Sequence, residues 1–474
     1  MNNTKKTKIV CTIGPATSSE EKLAELIKAG MNVVRLNFSH GDFAEHQAKV
    51  DNLKKVLKKN PEPIAVLQDL GGPKIRIGEF STKTVFLKAG QKFTITTDSI
   101  VGDETRASVN YPLFAKEMKV GDPVLLDDGK KRLEVLQIKG NDVICKVIIG
   151  GETKGRRGLN LPGSDLSVSS ITDKDRKDIA FGLKNKVDYF ALSFVRRPED
   201  IIELKNILIK AKSEARIIAK IETPQALQNI EEILKLTDAV MVARGDLAIE
   251  IPAEDVPLVQ KSLIRRCNEL GKPVITATQM LESMIKSPVP TRAEVSDVAN
   301  AILDGTDAIM LSEETTLGEY PIEAVKMMTK IATKIEKDDH YRDLVGSRKY
   351  SDPIKRKSDA LGNGAIEVAK EAGAKIIVAL TDGGFAARMI SRYKPEQKIL
   401  ALTPREMTKN QLALSYGCVP VLCKKFDEIT HVVKEAKALV LKNKLALRGE
   451  KIVLIFGLPL GQSSGTNALV VETL

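Results

Sequence analysis

The chain alternates strand-like and helix-like segments, and this alternation is interrupted once. The strand-like runs before the interruption are residues 8–14, 32–39 and 64–69, and those after it are residues 189–195, 215–221, 239–243, 273–278 and 308–311. Amphipathic segments with helical spacing separate them, for example 20–29, 43–59, 198–212, 224–236 and 291–303. Eight β/α units predict an α/β fold with a closed, parallel TIM (β/α)8 barrel. A doubly wound sheet is the alternative, although it does not favour the number eight.

The interruption, residues 71–170, consists of short β-like runs separated by turn residues, with little helical periodicity. This pattern predicts a small β-barrel inserted after the third strand. Residues 346–357 are polar and charged and are interpreted as a linker. Further α/β alternation follows, with strands near 375–380, 398–401, 419–422 and 451–456. The predicted domains are therefore a barrel (1–70 and 171–345), a β-rich insertion (71–170) and a C-terminal α/β domain (346–474).

Charge and composition narrow the classes of partner. The net charge of +11 divides into +9 for residues 346–474, +4 for 71–170 and −2 for the remainder. A basic C-terminal domain suits an anionic ligand, although a solvated basic surface is the simpler interpretation. The chain has no Trp and only 4% aromatic residues, so we expect no nucleic-acid partner. No apolar run approaches ~18 residues, no signal peptide is visible and no Cys-x-x-Cys occurs, so we expect a cytoplasmic protein without a membrane partner.

Polar residues cluster where the predicted barrel strands end, which is where TIM barrels carry their chemistry. Arg35, Asn37 and Ser39 alternate at the end of the second strand, as do Lys220 and Glu222 at the end of the fifth, so each set points to one face. The ends of other strands carry Asp69, Ser193, Asp246, Thr276, Thr278 and Glu314. Polarity often begins where a strand ends, but ionisable groups at alternate positions on several strands favour a functional site.

These residue types indicate phosphoryl transfer. Glu222 and Asp246 are hard carboxylate ligands suited to Mg²⁺. Lys220 lies two residues before Glu222, while Arg35 and Arg76 are fixed cations suited to phosphate. A divalent metal with Lys and Arg neutralises the charge of a transferring phosphoryl group. A buried structural ion pair between Lys220 and Glu222 is the alternative.

Several longer motifs, spread in order along nearly the whole chain, resemble the pyruvate kinase family. They are Lys8–Ala16, Asn32–Gly41, Ile218–Glu222, Met241–Leu247, Ala277–Met284 and Pro290–Glu294. The resemblance implies transfer of the phosphoryl group of phosphoenolpyruvate to ADP, giving pyruvate and ATP in the last step of glycolysis. It also implies a homotetramer, a C-terminal regulatory domain, and a lid formed by residues 71–170.

The resemblance assigns roles to individual positions. Glu222 and Asp246 would bind Mg²⁺, with Mn²⁺ as an alternative, and Lys220 would stabilise the phosphoryl group and the enolate. Arg35, Lys220 and Thr278 would be catalytic, with Thr278 near the carbon that is protonated. The substrate would contact Arg35, Lys220, Gly245, Asp246 and Thr278, and the nucleotide would lie near Asn37, Ser39, His40, Arg76 and Arg157. Arg157 stands where Lys is usual, which keeps the charge but changes the geometry.

The segment Asp69–Arg76 departs from the common family pattern Asp-Thr-Lys-Gly-Pro-Glu-Ile-Arg. Lys74 replaces the Glu of members that need K⁺. The monovalent-cation region by resemblance comprises Asn37, Ser39, Asp69 and Leu70. An ammonium there can replace a bound K⁺ electrostatically, so we predict activity without K⁺, as in the potassium-independent subgroup. The alternative is that Lys74 points to solvent.

The loop Thr381–Ala387 lies where many relatives have a Ser/Thr-rich cradle for a sugar phosphate. It lacks those hydroxyls, and Asp382 would repel phosphate. We therefore do not expect activation by fructose 1,6-bisphosphate, while an anion such as a sugar monophosphate or AMP stays open. We also expect the extra C-terminal domain of some bacterial relatives to be absent.

Two rival functions are weighed against this interpretation. A Mg²⁺-dependent aldolase or lyase that binds pyruvate in a barrel would share the carboxylate pair, but it would not need a lid carrying Arg76 and Arg157. A sensor or nucleic-acid-binding protein could use the basic terminal domain, but low aromatic content and dispersed lysines weigh against it.

Overall fold

Eight parallel strands close into a barrel in which neighbours follow chain order, as the alternation predicted. This computed structural model describes residues 5–164, 166–338, 341, 356–460 and 465–474. The barrel order is β1-β2-β3-β12-β13-β14-β15-β16, closing back onto β1. The strands are β1 Lys8–Thr12, β2 Val33–Asn37, β3 Ala65–Asp69, β4 Val85–Leu87, β5 Lys92–Thr96, β6 Arg106–Ser108, β7 Pro123–Leu126, β8 Lys131–Lys139, β9 Asp142–Ile149, β10 Gly151–Thr153, β11 Leu159–Asn160, β12 Tyr189–Leu192, β13 Arg216–Ile221, β14 Ala239–Ala243, β15 Val274–Ala277, β16 Ala308–Leu311, β17 Ile376–Leu380, β18 Lys398–Thr403, β19 Cys418–Leu422, β20 Lys451–Phe456 and β21 Ala468–Thr473.

Helices surround the barrel strands, and several begin at a side-chain cap. Ser19, Thr172 and Thr291 each accept a hydrogen bond from a backbone amide in the first turn of the helix that follows. The helical segment predicted at 224–236 is divided at Asn229 into two helices, which corrects that prediction. The helices of this part of the chain are Glu20–Ala29, Phe43–Lys59, Asp173–Asn185, Pro198–Lys210, Pro224–Gln228, Ile230–Leu236, Arg244–Glu250, Val256–Leu270, Arg292–Asp304, Glu313–Thr316 and Pro321–Ile335, with 3₁₀ turns at Ala253–Asp255 and Glu282–Ile285.

The alternation of side chains along the strands separates the barrel interior from the helical layer. On β2, Val33 belongs to the interior cluster, whereas Val34 and Leu36 pack outward with the helices. On β13, Ile218 is interior, whereas Ala219 belongs to the outer cluster. Because the side-chain period of a strand is two, polar residues two positions beyond an interior residue continue the interior face towards the open end.

The insertion has its own hydrophobic core. Its strands form a six-stranded sheet, in the order β11-β7-β8-β9-β5-β6, and a two-stranded sheet of β10 and β4. The β-rich character expected here is confirmed, but the strands form two separate sheets rather than one closed small barrel. The short strands β6, β10 and β11 and the helix Phe114–Glu117 were not predicted, because runs of two to four residues carry little periodicity.

The C-terminal region is a five-stranded sheet in the order β19-β18-β17-β20-β21, in which only β21 is antiparallel. Its two faces are covered by separate hydrophobic clusters. The linker predicted at 346–357 lies outside the described residues up to 355, and its last two residues belong to a helix, so the prediction is wrong there. The helices are Arg356–Glu371, Phe385–Ser391, Glu406–Gln411 and Ile429–Lys442, with a 3₁₀ turn at Leu412–Leu414.

The C-terminal region packs against the end of the barrel where the strands begin. Ala413 and Leu414 join the interior cluster of the barrel. The Tyr189 hydroxyl, at the start of β12, donates to the carbonyl of Gln411 at 2.8 Å. This leaves the opposite end, where the strands finish, as the open mouth of the barrel.

A search of the helices in the described residues finds none long and apolar enough to cross a membrane.

Candidate active site

A buried carboxylate, Asp69, joins two cations at the mouth of the barrel. Arg35 donates from Nε to Asp69 Oδ2 at 2.8 Å, and Lys220 Nζ lies 3.2 Å from Asp69 Oδ1. Arg35 also donates from Nη1 to the Thr12 hydroxyl at 2.8 Å. Burial acts to raise the pKa of Asp69, but Lys220 and Arg35 outweigh it and hold the pKa below its ordinary value. Asp69 is therefore ionised and holds both cations in fixed positions.

Lys220 is held by three oxygen atoms. Its Nζ donates to Ser193 Oγ at 2.7 Å and lies 3.0 Å from Glu222 Oε1, in addition to Asp69. Burial alone would lower the pKa of Lys220, but Asp69 and Glu222 raise it above the ordinary value. Lys220 is therefore a positive charge at neutral pH rather than a general base.

Glu222 has one oxygen engaged by the backbone and one that makes no hydrogen bond. Oε2 accepts from the Phe194 amide at 2.7 Å. The buried Oε1 lies 3.0 Å from Lys220 Nζ as an ion pair, but it accepts no hydrogen bond. Burial raises the pKa of Glu222, and the Asp246 carboxylate adds to that rise while Lys220 opposes it. The negative charge of Asp246 is therefore close enough to Glu222 to affect its pKa, which places both carboxylates at one site.

This pair of carboxylates fits a hard divalent cation. Asp246 lies in the first turn of the helix Arg244–Glu250 and is partly exposed, and Glu222 offers an oxygen without a hydrogen-bond donor. Within the described ranges, no group of three or more His, Cys, Asp or Glu side chains could hold a metal ion. Two protein carboxylates with substrate and water oxygens are an arrangement that Mg²⁺ favours.

Thr278 lies just after β15 in the left-handed region of the backbone, with φ of 70°. A β-branched residue there costs roughly 1–3 kcal/mol of strain. Its hydroxyl accepts from the Gly245 amide at 2.8 Å. The strand β15 ends at Ala277, so Thr276 and Thr278 have different surroundings, and Thr276 donates to the Thr306 hydroxyl at 3.0 Å.

Gly245 joins the helix that carries Asp246 to the turn that carries Thr278, because its amide donates to the Thr278 hydroxyl at 2.8 Å. A Cβ built at this position would lie 3.4 Å from Thr278 Oγ1, at the edge of ordinary van der Waals contact. The hydrogen bond, rather than the lack of a side chain, therefore holds the helix and the turn together. The assignment of Gly245 to the substrate stays a prediction.

The residues assigned to the nucleotide lie at the rim of the mouth. Asn37 ends β2, and its Oδ1 accepts from the Ser39 amide at 3.1 Å. Ser39 lies beyond the strand and, like His40, is exposed. Burial lowers the pKa of His40, and the charges of Arg76, Lys74 and Arg35 lower it further. His40 is therefore neutral at physiological pH and lies within electrostatic reach of lid cations.

The lid cations have different surroundings. Arg76 donates from Nη1 to the carbonyl of Arg156 at 3.1 Å, while Arg157 Nε lies 3.5 Å from Asp127 Oδ1. The Arg157 side chain is 45% exposed. Arg76 thus shares the rim with His40, and Arg157 is held by a lid carboxylate.

Lys74 is half-buried and lines a cavity of about 60 Å³ between the lid and the barrel. Glu250 and Asn160 line the same cavity. The role of Lys74 in place of K⁺ stays a prediction. Leu70, also assigned to the monovalent-cation region, is buried, and its carbonyl accepts from Ser193 Oγ at 2.7 Å.

Two side chains in this network were given no role from the sequence, although Ser193 was noted there as a polar residue at a strand end. Thr12 ends β1 and contacts Arg35, and Ser193 follows β12 and contacts Lys220. Both stand where their strands end, so the rule that selected the other positions would also have selected Thr12. Glu314, by contrast, is structural, because its carboxylate accepts from the amides of Ser312 and Leu281 at 2.7 Å and 3.1 Å.

Known protein families and curated proteins are similar to this chain in sequence. Residues 4–325 match the family described as pyruvate kinase, barrel domain, and residues 359–472 match pyruvate kinase, alpha/beta domain. A pyruvate kinase of Clostridium perfringens is 44% identical over 99% of this chain and 100% of its own length. One from Staphylococcus saprophyticus is 46% identical over 98% of this chain and 80% of its own length.

A crystal structure of a pyruvate kinase from Cryptosporidium parvum superposes with a TM-score of 0.92 and 37% sequence identity, covering 99% of this chain and 96% of that one. The family matches span most of the chain, and the full-length relatives share more than two-fifths of its residues. Together with the barrel, the inserted β-rich segment and the C-terminal sheet, they establish that the chain belongs to the pyruvate kinase family of phosphotransferases.

Proposed function

We propose that this protein transfers the phosphoryl group of phosphoenolpyruvate to ADP, giving pyruvate and ATP. The observation that carries the proposal is the buried triad of Arg35, Asp69 and Lys220 beside the carboxylates of Glu222 and Asp246. It offers two fixed cations to a phosphate and two hard oxygens to a metal in one barrel mouth.

Arg35 and Lys220 would bind the phosphate of the substrate and stay in place as it transfers. Because their partner Asp69 is buried and ionised, neither cation has to reorganise when negative charge spreads over the phosphoryl oxygens. Lys220 keeps its proton, so its contribution is electrostatic and extends to the enolate that is left behind. Positioning and charge neutralisation are the main requirements of phosphoryl transfer.

Glu222 and Asp246 would hold Mg²⁺, or Mn²⁺ in its place, with substrate oxygens and water completing the shell. The metal would supply further neutralisation of phosphate charge. Thr278, Gly245 and Asp246 would contact the substrate, and Thr278 would lie near the carbon that accepts a proton. The hydrogen bond between Gly245 and Thr278 supports placing them together.

The proposed domains are a catalytic barrel (1–70 and 171–345), a lid (71–170) and a regulatory C-terminal domain (346–474). ADP would bind between the barrel rim at Asn37, Ser39 and His40 and the lid residues Arg76 and Arg157. Support comes from the charges of Arg76 and Lys74 in the lid, which are close enough to His40 at the rim to lower its pKa. The 44% identity over a full-length relative favours the homotetramer of the family.

The proposal includes activity without K⁺. Lys74 lines the cavity between lid and barrel, and its charge contributes to lowering the pKa of His40. A permanent positive charge near the rim removes the need for a monovalent cation there, because it already offsets the phosphate charge.

An anionic effector in the C-terminal region is also proposed. A cavity of about 470 Å³ is lined by the loop at Asp382 and by Lys424 and Lys425. Asp382 Oδ2 lies 3.1 Å from Arg405 Nη1, so part of its negative charge is offset. The two exposed lysines favour a phosphate-bearing ligand, and the lack of loop hydroxyls still disfavours fructose 1,6-bisphosphate.

The test is a coupled assay of pyruvate formation. Wild-type protein should form pyruvate from phosphoenolpyruvate only when ADP and Mg²⁺ are present, and Lys220→Met should abolish it. Lys235→Met, at an exposed lysine paired with Glu232, is the matched control and should keep full activity. Thermal unfolding of both variants reports whether they fold. Pyruvate release without ADP would favour the lyase alternative, and unchanged turnover in Lys220→Met would remove Lys220 from the catalytic centre.

A further inference from the structure

Thr278 and Gln279 are successive non-glycine residues in the left-handed region, with φ of 70° and 54°. A backbone of this kind persists only where its surroundings hold it. The turn directly follows β15, and it carries the hydroxyl that contacts Gly245. The contacts that hold this turn therefore decide where the hydroxyl lies.

One guanidinium contacts the turn on its carbonyl side. Arg244 donates from Nε to the carbonyl of Ala277 at 3.2 Å and from Nη2 to the carbonyl of Thr278 at 2.8 Å. These are consecutive carbonyls on either side of the strained residue. A planar guanidinium donates to both from a rigid fork, whereas an ammonium is a compact charge whose donors rotate.

The guanidinium is itself fixed by a carboxylate on another helix of the barrel. Asp297, in the helix Arg292–Asp304, accepts from Nη1 at 2.6 Å and from Nη2 at 2.7 Å. Gln260 Oε1 accepts from Nη1 at 3.2 Å. The Arg244 side chain is 14% exposed and that of Asp297 is 34% exposed, so the bidentate pair is partly shielded from water.

The hydroxyl of Thr278 is then fixed from both sides. It donates to the carbonyl of Ala277 at 2.6 Å and accepts from the Gly245 amide at 2.8 Å. Arg244 immediately precedes Gly245 and lies two residues before Asp246, so the same residue anchors the start of the helix that carries both. A displacement of this anchor moves the turn and the helix relative to each other.

We propose that Arg244 and Asp297 are positioning residues, which hold Thr278 in its left-handed conformation and its hydroxyl against Gly245 for the reaction. Neither touches the substrate in this assignment; both act through Thr278. The inference rests on the proposed function for its kinetic consequence, but the positioning itself is measurable without turnover.

The kinetic test compares Arg244→Lys in two backgrounds. Arg244→Lys keeps the charge and loses the fork, so kcat should fall about 10- to 100-fold, as misplacement of a reacting group does, with little change in KM for phosphoenolpyruvate. In a Thr278→Ala background the same change should lower kcat less than about twofold, because the group it positions is gone. Equal losses in both backgrounds would overturn the proposal.

The structural test is hydrogen–deuterium exchange of the Gly245 amide, which needs no activity. Exchange should accelerate in Arg244→Lys and in Asp297→Ala, and Asp297→Asn, which keeps an acceptor oxygen, should recover most of the protection and of kcat. Arg265→Lys, at an exposed arginine 3.1 Å from Glu269, is the matched control and should change neither measurement.

The failures of the two proposals are distinguishable. If wild-type protein forms no pyruvate but Arg244→Lys still accelerates Gly245 exchange, the proposed function fails and the positioning stands. If wild type is active and Arg244→Lys leaves Gly245 protected, the positioning proposal is wrong. Thermal unfolding of each variant separates local loosening from loss of the fold.

Discussion

Asn160 in the lid donates from Nδ2 to Glu250 Oε1 of the barrel at 3.1 Å. Glu250 is the last residue of the helix that begins at Arg244 and carries Asp246 in its first turn. Asn160 and Glu250 line the same cavity as Lys74. Burial is the main cause that raises the pKa of Glu250 to about 7, with Asp246 and Glu222 adding to it. This hydrogen bond joins the lid to the helix that carries Asp246, a proposed metal ligand.

Asn160→Asp should weaken closure of the lid, because a second carboxylate replaces the donor that faces Glu250. At pH 8, above the raised pKa of Glu250, a hydrogen bond to its charged carboxylate contributes roughly 1.5–3 kcal/mol, so we expect kcat/KM for ADP to fall about tenfold or more at that pH. Steady-state kinetics with ADP varied measures this. Asn141→Asp is the matched control, since Asn141 donates to Asp98 at 2.7 Å on an exposed part of the lid. Equal effects of the two changes would contradict the role of the contact.

Lys74→Glu should make activity dependent on K⁺. The change removes the ammonium near the rim and leaves a carboxylate that a monovalent cation has to neutralise. Wild-type activity should be equal in K⁺ and tetramethylammonium buffers, while the variant should lose at least about tenfold in tetramethylammonium and recover in K⁺. Lys83→Glu, at an exposed lysine of the lid, is the control. A large loss of wild-type activity without K⁺ would refute the prediction.

Asp188→Asn should stabilise the protein at alkaline pH. Burial raises the pKa of Asp188 to about 7, although its carboxylate accepts from the Val66 amide at 2.7 Å. Because the folded pKa lies above the unfolded value, the favourable contribution is present at low pH and is lost as pH rises from about 4 to about 7. The free energy of unfolding of wild type should therefore fall relative to the variant over that interval, by on the order of 2–4 kcal/mol.

The measurement for Asp188→Asn is the thermal unfolding midpoint of both proteins at pH 5 and pH 8. Activity should not change, since Asp188 lies just before β12, at the end of the barrel away from the mouth. A difference between the two midpoints that is independent of pH would show that Asp188 is ionised in the folded protein throughout.

Lys424→Glu with Lys425→Glu should abolish the response to an anionic effector. Both lysines line the cavity at Asp382, so reversing their charge adds repulsion to the loop that lacks hydroxyls. AMP and a hexose monophosphate would be titrated at a concentration of phosphoenolpyruvate below its KM, with fructose 1,6-bisphosphate expected to have no effect. Lys442→Glu, at an exposed helix end, is the control. A response that persists in the double variant would place the effector elsewhere.

The polar residues at the strand ends could be predicted from the sequence, because residues that face the same side of a strand occur at every second position. Arg35 and Lys220 continue the interior face that starts at Val33 and Ile218, and both reach Asp69. The family resemblance assigned Asp69 to the monovalent-cation region, whereas its contacts join the two cations. Only three-dimensional packing reveals this, because residues 35, 69 and 220 are far apart in the chain.

Other features left no trace in the pattern of apolar residues. The left-handed backbone of Thr278 is unfavourable for its residue type, so local propensity argues against it, and tertiary contacts hold it in place. The antiparallel strand β21 was missed because helix–strand alternation predicts parallel neighbours, and β21 instead pairs directly with β20. Asn229 divides a segment whose apolar spacing continues on both sides.

The packing of Ala413 and Leu414 into the barrel interior means that the C-terminal region serves as the floor of the catalytic barrel. Lys394, fully buried, lies 2.8 Å from Asp307, so removing that region would leave a carboxylate unpaired and an apolar cluster open to water. A region joined in this way is not a detachable accessory. A ligand bound in the proposed effector cavity would act on the base of the eight-stranded barrel, at the end opposite the mouth.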